Sequence, residues 1–482
     1  MTEIGEVSLL INGRLEQGEG DQLAVIDPAR ATPLAAVPEA SPAQVDQAVA
    51  AARTAFDAND WRDMSPMARG DALIEIARRL RANADEFAQL DSLNVGKPIA
   101  QARDDVEGAA QYFDYFGRVI VDLPGEVIES SPDQMTLVVR EPVGVVGAII
   151  PWNFPIVLVA TTIGAPLAAG NTIVLKPSEL TPLSALRLAE LCRDVLPPGV
   201  FNVINGRGAT VGAQLASHES VDRIVFTGST VTGTTVMEAA AKSFKRIGLE
   251  LGGKSATVIF DDAPLEAAVA SALNRIAMNQ GENCAAGSRL LIQSSIYDEF
   301  LARLSARAAE LVAGDPQDER TAIGPMISPQ HLAKVTGYID GANKEGSLVF
   351  QGETPREAPF DRGYFAPLSI FEAGPSTRLW RDEVFGPVLA VTRFEDEIDA
   401  VRLANDSDYG LMSVVWSGDR ARGLRFARRV RAGIVRLNAG APPINGPWGG
   451  FKQSGIGRGY GRYGIEESTE IKQINIDVRS YD

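Results

Sequence analysis

The sequence predicts an α/β protein built from two units in which strands and helices alternate. Such alternation runs through residues 143–226 and begins again after Gly253. It implies mostly parallel sheets with helices on both faces. The length of 482 residues allows about three structural units and a large buried core.

The first unit begins with residues 143–150, a short apolar run rich in branched side chains that suits a strand buried on both faces. Pro151 ends this strand, residues 156–169 have a helical pattern, and residues 172–175 resume the strand pattern. The remaining predicted elements are a helix at 184–195, a strand at 201–204, a short helix near 212–216 and a strand at 223–226. Nucleotides commonly bind at the carboxyl ends of such strands.

Two helical segments precede this unit, and a second alternating series follows it. Residues 42–56 and 66–93 are spaced as amphipathic helices are, so we expect them to form an outer helical layer. After Gly253 the predicted elements are a strand at 255–260, a helix at 265–279, a strand at 289–293 and a helix at 296–313. This series predicts a second α/β domain, packed against the first because no long linker separates them.

The charge balance argues against several classes of partner. The chain has 46 basic and 62 acidic residues, a net charge of −16, and no basic block offsets it locally. We therefore expect neither nucleic acid nor an anionic membrane as a partner. The first residues carry acids where a signal peptide needs a basic and then an apolar region, so we expect a cytoplasmic protein.

The chain has only two cysteines and two histidines, which argues against a disulfide framework and against a metal site. We interpret His218 and His331 as surface residues, because neither accompanies the nucleophile elbow of a serine hydrolase. Cys192 lies inside an amphipathic helical pattern, where a small buried side chain is expected. Cys284 lies instead among small, polar and glycine residues that leave a thiol accessible.

Cys284 is therefore the candidate nucleophile. A thiol needs a lowered pKa or a nearby base to react near neutral pH. Glu250 is the candidate base if the two domains meet at this segment. Taken alone, Glu250 is interpreted as a surface carboxylate.

A second group of residues suits a nucleotide. Residues 226–233 follow a predicted strand and open a helix, so backbone amides and Ser229 would face a pyrophosphate. Lys176 and Glu179 follow the neighbouring strand, where they suit ribose hydroxyl groups. Residues 206–212 nearly match the dinucleotide fingerprint but have the wrong spacing, and we interpret them mainly as a turn near the adenine.

Together these segments resemble one family, the NAD(P)-dependent aldehyde dehydrogenase superfamily. The resemblance extends from Ile11 to Gly464, and the motifs stand in the family's order. They are Pro151-Trp-Asn-Phe-Pro155, Lys176-Pro-Ser-Glu179, Phe226-Thr-Gly-Ser229, Leu249-Glu-Leu-Gly-Gly253, the Cys284 segment, Glu383-Val-Phe-Gly-Pro387 and Gly449-Gly-Phe-Lys-Gln-Ser-Gly455.

The resemblance implies an aldehyde dehydrogenase-like fold, with a Rossmann-type NAD-binding domain, a second α/β catalytic domain and a small β oligomerisation element. The expected boundaries are 1–123 and 143–252 for the NAD-binding domain, 253–453 for the catalytic domain, and 124–142 with 454–482 for the oligomerisation element. Residues 125–140 and 469–478 look like exposed strands that await a partner, so we expect a homodimer or homotetramer.

The resemblance also implies roles for individual residues. Cys284 matches the nucleophile, Glu250 the general base, and Asn153 the amide that forms an oxyanion hole with the backbone amide of Cys284. The expected NAD-binding residues are Ile149, Pro151, Trp152, Lys176, Pro177, Ser178, Glu179, Gly208, Gly212, Phe226, Thr227, Gly228, Ser229, Leu251, Gly252, Glu383 and Phe385. The expected lining of the substrate pocket is Phe154, Leu158, Thr161, Asn283, Ala285 and Trp448, with residues 440–444.

The implied function is NAD-dependent oxidation of an aldehyde to a carboxylic acid, through a cysteine thiohemiacetal and thioester, with water as the final acceptor. A neutral aromatic or aliphatic aldehyde is the favoured substrate, and an ω-aminoaldehyde or betaine-aldehyde-type dehydrogenase is the alternative. A CoA-acylating semialdehyde dehydrogenase would lack the base that Glu250 supplies. A non-catalytic structural member would not need Cys284, Glu250 and Asn153 together.

Three positions depart from the family's usual pattern. Glu282 stands where glutamine is usual, and we expect its carboxylate to be exposed to solvent. Gly459 replaces a usual glutamate, which puts an outer proton relay in doubt. Thr161 stands where tryptophan is frequent and predicts a roomier or more polar pocket.

Part of the pattern expected for a cationic substrate is also present. Trp448 and Phe154 offer aromatic faces, over which a desolvated cation gains about 1 to 2 kcal/mol. Asp104 and Asp105 lie on a helix that the family places near the mouth of the tunnel.

Overall fold

The computed structural model describes residues 7–438, 440 and 443–479. Its largest sheet has eight strands, and the central strands run parallel to one another. In sheet order the strands are Arg14–Glu16, Leu9–Ile11, Phe201–Val203, Thr172–Lys176, Val145–Ile149, Arg223–Thr227, Arg246–Glu250 and Gly455–Ile456. The structure thus confirms the mostly parallel sheet of the first unit, with small differences at the strand ends.

Helices cover this sheet in two layers. The helices Pro42–Asp57, Pro155–Ala169, Leu183–Cys192 and Thr230–Ala241 contact its strands, and Ala213–Ser217 packs beside the first and last of these. The helices Pro66–Ala82, Ala84–Val95 and Ile99–Val119 pack on these helices, as expected of an outer layer for 66–93. The same expectation is wrong for 42–56, because that helix contacts the sheet directly. The single helix expected over 66–93 is two helices, because the backbone of Asn83 leaves the helical conformation. The expected turn at 206–212 contains the π-helical turn Gly208–Gly212, which leads into the next helix.

The stretch of residues 142–175 carries no charged side chain and is largely buried. Its helix, Pro155–Ala169, starts with proline in the first turn, ends at the left-handed Gly170 and is buried along most of its length. Gly164 lets this helix approach the helix Ile99–Val119, because a Cβ at 164 would lie 2.6 Å from the ring of Phe116. No helix in the described part of the chain is long and apolar enough to cross a membrane.

The second α/β unit has a seven-stranded sheet. In sheet order its strands are Ser347–Gln351, Ser369–Glu372, Val388–Phe394, Arg289–Gln293, Ala256–Ile259, Met412–Trp416 and Ile434–Leu437. The accompanying helices are Leu265–Ala277, Tyr297–Ala308, Pro329–Glu345, Arg378–Arg381, Glu397–Asn405 and Arg420–Arg429. The helix expected over 296–313 ends at Ala308, and Val312–Ala313 forms a short strand.

A separate three-stranded antiparallel sheet joins Thr469–Asp477, Gln134–Pro142 and Glu126–Ser131. The remaining strand pairs are Gln22–Asp27 with Thr32–Pro38, Val312–Ala313 with Thr321–Ile323, and Tyr409–Gly410 with Phe451–Lys452; the short helix Gly461–Glu466 follows them. Gly455–Ile456, which we assigned to the oligomerisation element, pairs with the first sheet. The domain boundaries stay predictions. The two ends of the predicted domains, residues 1–6 and 480–482, lie outside the residues that the structure describes.

Candidate active site

A cavity with a volume of about 960 Å³ is lined by residues that follow strands of the first sheet and by residues of the second unit. This volume suits a small-molecule or cofactor site. The predicted residues in its wall are Pro151, Trp152, Asn153, Phe154, Leu158, Thr161, Thr227, Gly228, Ser229, Glu250, Leu251, Gly252, Asn283, Cys284, Ala285, Glu383, Phe385 and Trp448. The predicted residues outside its wall are Ile149, Lys176, Pro177, Ser178, Glu179, Gly208, Gly212 and Phe226.

Cys284 is partly buried in a loop that follows the turn Met278–Gly281. Gly253 passes so close to this loop that a Cβ at 253 would lie 2.2 Å from the carbonyl oxygen of Cys284. Only glycine fits such an approach. The contact joins the end of the strand Arg246–Glu250 to the thiol loop.

The two cysteines have different surroundings. Burial raises the pKa of the Cys284 thiol to about 12, and the nearby carboxyl groups of Glu383 and Glu250 act in the same direction. Cys192 is buried in the hydrophobic core on the helix Leu183–Cys192, as its sequence pattern predicts. Of the two, Cys284 is the one that lines the cavity.

Glu250 ends its strand at the cavity wall. Burial raises the pKa of its carboxyl group to about 8, and the charge of Arg458 opposes this shift. Its Oε2 is buried and makes no hydrogen bond within the described residues. A carboxylate with a free oxygen and a pKa near neutrality is suited to accept a proton.

Asn153 is buried between the first sheet and the thiol loop. Its side-chain amide donates a hydrogen bond of 2.9 Å to the backbone oxygen of Glu282. Because an amide nitrogen carries two hydrogens, a second N–H is available to a ligand. Asn279 fixes this arrangement by donating to the backbone oxygens of Asn153, at 2.8 Å, and Glu282, at 3.0 Å.

Asn279 was missed by the sequence reasoning. Its backbone has a positive φ of 48°, which asparagine tolerates better than most residues. The helix predicted to reach residue 279 ends at Ala277, because this left-handed backbone cannot continue it.

Glu282 is fully buried, so the expectation that it is exposed to solvent is wrong. Its Oε1 accepts a hydrogen bond of 2.9 Å from the backbone N–H of Ile327, and its Oε2 accepts one of 3.0 Å from Gln280. Burial raises the pKa of this carboxyl group well above its ordinary value. The group anchors the thiol loop to the second unit.

One end of the cavity, which we call the strand-end limb, is formed by Thr227, Gly228, Ser229, Glu383 and Phe385. Ser229 is the N-cap of the helix Thr230–Ala241 and accepts a hydrogen bond of 3.2 Å from the backbone N–H of Thr232. This helix therefore begins at the cavity, where its N-terminal dipole favours an anion.

Lys176 and Glu179 lie beyond the cavity wall, at the end of the strand Thr172–Lys176. The Lys176 Nζ and the Glu179 Oε2 are 3.3 Å apart, and the Glu179 side chain is 35% exposed. Burial lowers the pKa of Lys176, and the carboxylate of Glu179 opposes that shift. Of the other predicted residues outside the wall, Ile149, Pro177, Ser178, Gly212 and Phe226 are buried, and Gly208 is exposed.

The opposite wall of the strand-end limb belongs to the second unit. Glu383 accepts a hydrogen bond of 2.8 Å from the backbone N–H of Gly253. The ring of Phe385 packs edge-on against Trp152, with ring centroids 5.4 Å apart. These contacts hold both side chains of this wall in fixed positions.

His331 and Lys334 also line the cavity, and the sequence reasoning missed both. His331 donates from its Nε2 to the backbone oxygen of Phe385 at 2.7 Å. Burial lowers the pKa of His331 to about 4. Its interpretation as a surface residue is wrong, because the helix Pro329–Glu345 packs it against Trp152.

The other end of the cavity, the aromatic limb, is formed by Tyr112, Leu158, Thr161, Trp448 and Tyr460. Tyr460 stacks on Trp448 with ring centroids 5.3 Å apart, and its ring lies 5.0 Å from that of Tyr112. The side chain of Thr161 lowers the pKa of the Tyr460 phenol, against the larger rise that burial causes. The expectation of a roomier or more polar pocket at Thr161 stays a prediction.

The acidic pair expected near the mouth of the tunnel is not arranged for a ligand. Asp105 forms a salt bridge with the fully buried Lys97, whereas Asp104 is exposed. The Nζ of Lys97 lies 3.8 Å from the ring centroid of Phe154. Lys97 thus occupies a face of Phe154 and neutralises Asp105.

The loop at 440–444 is described only in part. Gly440 lines the cavity as expected. Residues 441 and 442 lie outside the described residues.

Comparison with known proteins adds to this geometry. The model of the aldehyde dehydrogenase family matches residues 15–474. The chain is 41% identical to the betaine aldehyde dehydrogenase of Bacillus subtilis over 473 residues, which cover 97% of this chain and 96% of that protein. It is 41% identical to the NADP/NAD-dependent aldehyde dehydrogenase PuuC of Escherichia coli over 481 residues, which cover 98% of this chain and 96% of that protein.

A solved structure agrees with these relatives. The betaine aldehyde dehydrogenase of Staphylococcus aureus, in complex with NAD+, superimposes with a TM-score of 0.95 at 36% identity. The match covers 99% of this chain and 96% of that one. The present chain therefore belongs to the aldehyde dehydrogenase family. The family and fold expected from the sequence are confirmed, whereas the roles of individual residues stay predictions.

Proposed function

We propose that this protein oxidises an aldehyde to a carboxylic acid with NAD as oxidant, using Cys284 as nucleophile, Glu250 as general base and Asn153 as oxyanion donor. The observation that carries the proposal is the convergence of these three side chains on one cavity wall. They come from distant segments of the chain, and each supplies a different part of one acyl-transfer reaction.

Attack on the aldehyde requires the thiolate of Cys284. Because burial holds the pKa of the thiol at about 12, its proton must pass to a base as the bond forms. Glu250 lies in the same wall with a free oxygen and is suited to take that proton. The resulting alkoxide accepts hydrogen bonds from Asn153 and from the backbone N–H of Cys284, and each such donor contributes about 3 kcal/mol.

The polar groups at and behind the strand-end limb fit a dinucleotide. The N-terminus of the helix Thr230–Ala241 suits a pyrophosphate, while Lys176 and Glu179 suit the hydroxyl groups of a ribose. Glu383 is held beside the thiol loop, where it suits the second ribose. When bound, the dinucleotide supplies a hydride acceptor at its nicotinamide ring. Phe385 and Trp152 form the wall that would orient that ring.

Hydrolysis completes the reaction. Once Glu250 has released the proton of Cys284 to solvent, it removes a proton from water, and the hydroxide attacks the thioester carbon on Cys284. The carbon–sulfur bond then breaks, and the Cys284 thiolate that leaves takes the proton back from Glu250. A buried carboxylate with a free oxygen supports water as the acceptor, whereas a CoA-acylating enzyme needs a thioester that survives in the site.

The lining supports an aldehyde with an apolar body, as a neutral aromatic or aliphatic aldehyde has. Leu158 and the stacked rings of Trp448 and Tyr460 form this surface. The second candidate is a cationic aldehyde, because two of the relatives are named betaine aldehyde dehydrogenases and aromatic faces bind cations. Two contacts of Lys97 count against a cationic substrate, because Lys97 already covers a face of Phe154 and neutralises Asp105.

A homodimer or homotetramer in the cytoplasm is part of the proposal. The three-stranded sheet exposes apolar side chains, with Val127 67% and Ile471 65% exposed. Such a surface is typical of a sheet that pairs with another subunit. A reducing compartment would keep the thiol of Cys284 in its reactive form.

The comparison of the two cysteines tests the proposal. Cys284→Ala should abolish aldehyde-dependent formation of NADH, measured by absorbance, because the carbon–sulfur bond cannot form. Cys192→Ser is the matched control and should retain most of the activity, since Cys192 packs in the core away from the cavity. Equal losses in both variants, or normal turnover in Cys284→Ala, would overturn the assignment of the nucleophile.

A further inference from the structure

Two arginine side chains lie in the cavity wall and form no ion pair with an acidic residue in the described part of the chain. Arg275 belongs to the helix Leu265–Ala277 and Arg436 to the strand Ile434–Leu437. Arg275 donates to the backbone oxygen of Ala285 at 2.5 Å and to the sulfur of Met412 at 3.2 Å. Arg436 donates to the backbone oxygen of Gly440 at 2.7 Å.

Neither guanidinium is fully satisfied. The Nε atoms of Arg275 and Arg436 are buried, and no hydrogen bond to either is found among the residues that the structure describes. Burial and, to a smaller extent, the charge of Arg436 lower the pKa of Arg275 to about 9. The two cations are thus near enough to repel each other, and a buried charge without a counter-charge is costly.

The two glutamate side chains that line the same cavity, Glu250 and Glu383, interact with other groups. The cation that acts on Glu250 is Arg458, and Glu383 accepts from the backbone N–H of Gly253. A guanidinium fork matches the two oxygens of a carboxylate, which is the ligand that such an arginine pair favours.

We propose that Arg275 and Arg436 bind a carboxylate at the remote end of the substrate, so that the preferred substrates are semialdehydes of dicarboxylic acids. This inference rests on the proposed function and narrows its substrate class. Ala285, whose carbonyl oxygen Arg275 holds, directly follows Cys284 in the chain. Arg275 is therefore held beside the position of the reacting carbon. In the proposed binding mode, a substrate whose aldehyde carbon lies at Cys284 extends its remote end along the wall that carries both arginines.

The charge of the substrate then decides its rate. A carboxylate pairs with both guanidinium groups, a neutral aldehyde leaves them unpaired, and an aminoaldehyde adds a third cation to the wall. Specificity of this kind arises as much from what the unpaired charges reject as from what they bind.

The test compares succinic, glutaric and adipic semialdehydes with butanal, pentanal and hexanal, and with 4-aminobutanal, by kcat/KM from NADH absorbance. In the unmodified enzyme the best semialdehyde should exceed its matched neutral aldehyde on the order of a hundredfold. Arg436→Gln should reduce kcat/KM for the semialdehydes by roughly tenfold or more, chiefly through KM. Turnover of the neutral aldehydes in this variant shows that it is folded.

Two further variants sharpen the test. Arg436→Lys should retain part of the preference for semialdehydes over neutral aldehydes. Lysine keeps the positive charge but cannot bind both oxygens of a carboxylate as the planar guanidinium does. Arg428→Gln, at an exposed position on the helix Arg420–Arg429, should change nothing.

Each remaining outcome has a distinct meaning. Equal efficiency with semialdehydes and neutral aldehydes in the unmodified enzyme would overturn the inference, as would parallel losses for both in Arg436→Gln. A preference for 4-aminobutanal would overturn it in favour of the cationic class. Failure to oxidise any aldehyde would instead contradict the proposed function.

Discussion

The strand-end limb and the part of the cavity wall that carries Arg275 and Arg436 differ in how their charged groups are paired. At and behind the strand-end limb, Glu383 accepts a hydrogen bond from the backbone of Gly253, and Lys176 pairs with Glu179. In the other part of the wall, the buried Nε atoms of Arg275 and Arg436 have no hydrogen-bond partner among the residues that the structure describes. A wall whose charges are paired within the protein holds its shape without a ligand, whereas a wall with unpaired cations selects the charge of the ligand that enters.

Glu250 lies in the wall of the same cavity, and changing it should have the largest effect. Glu250→Gln should retain a burst of NADH, formed more slowly because the Cys284 thiol loses its base, while steady-state turnover falls by roughly 10² to 10⁴ because general-base catalysis of the hydrolytic step is also lost. In the unmodified enzyme turnover should rise as pH increases through about 8, where the raised pKa leaves Glu250 as the carboxylate. The variant should lose this rise.

Stopped-flow and steady-state absorbance measure these two phases. Glu353→Gln, at an exposed glutamate, serves as the control and should behave as the unmodified enzyme does. Unchanged steady-state turnover in Glu250→Gln would reject its role as base.

The preference for NAD over NADP tests the paired charges behind the strand-end limb. The Glu179 carboxylate can accept hydrogen bonds from ribose hydroxyl groups and would repel a 2'-phosphate, so NAD should exceed NADP in efficiency by more than about tenfold. Glu179→Ser should narrow the gap, measured by kcat/KM with each dinucleotide. Comparable efficiencies in the unmodified enzyme would show that this carboxylate does not discriminate.

The smallest expected effect concerns Glu282, the buried anchor of the thiol loop. Because its pKa is raised in the folded protein, its contribution to stability is fully present below its ordinary value of 4.5 and is lost as pH rises through the folded pKa. Glu282→Gln avoids this loss, so the variant should gain stability relative to the unmodified protein by about 1.4 kcal/mol for each pKa unit of the shift.

Urea unfolding at about pH 5 and about pH 8 measures this difference. Glutamine can still accept from the N–H of Ile327, and the amide of Gln280 can turn its free oxygen toward the new donor. Activity should therefore change little. A variant that is less stable at both pH values would show that Glu282 acts through its charge.

The elements and residues that lie in contiguous segments could be predicted from the sequence. Apolar runs marked the parallel strands, and residues 226–233 were predicted to open a helix, which begins at Thr230. Asn153, Glu250 and Cys284 were identified because each stands in a short motif. The break at Asn83 and the π-helical turn at Gly208–Gly212 could not be predicted, because tertiary packing overrides the local helical pattern there.

The sequence by itself determined the α/β class, the family and the candidate groups at the strand ends, because these depend on the order of neighbouring residues. Only the tertiary structure decided that Glu282 is buried, that His331 holds Phe385 and that Tyr460 meets Thr161. The physical reason is that the hydrophobic pattern of a segment shows which side chains turn inward but not what they meet. Burial and pairing, which set the charge and pKa of each group, depend on contacts between residues far apart in the chain.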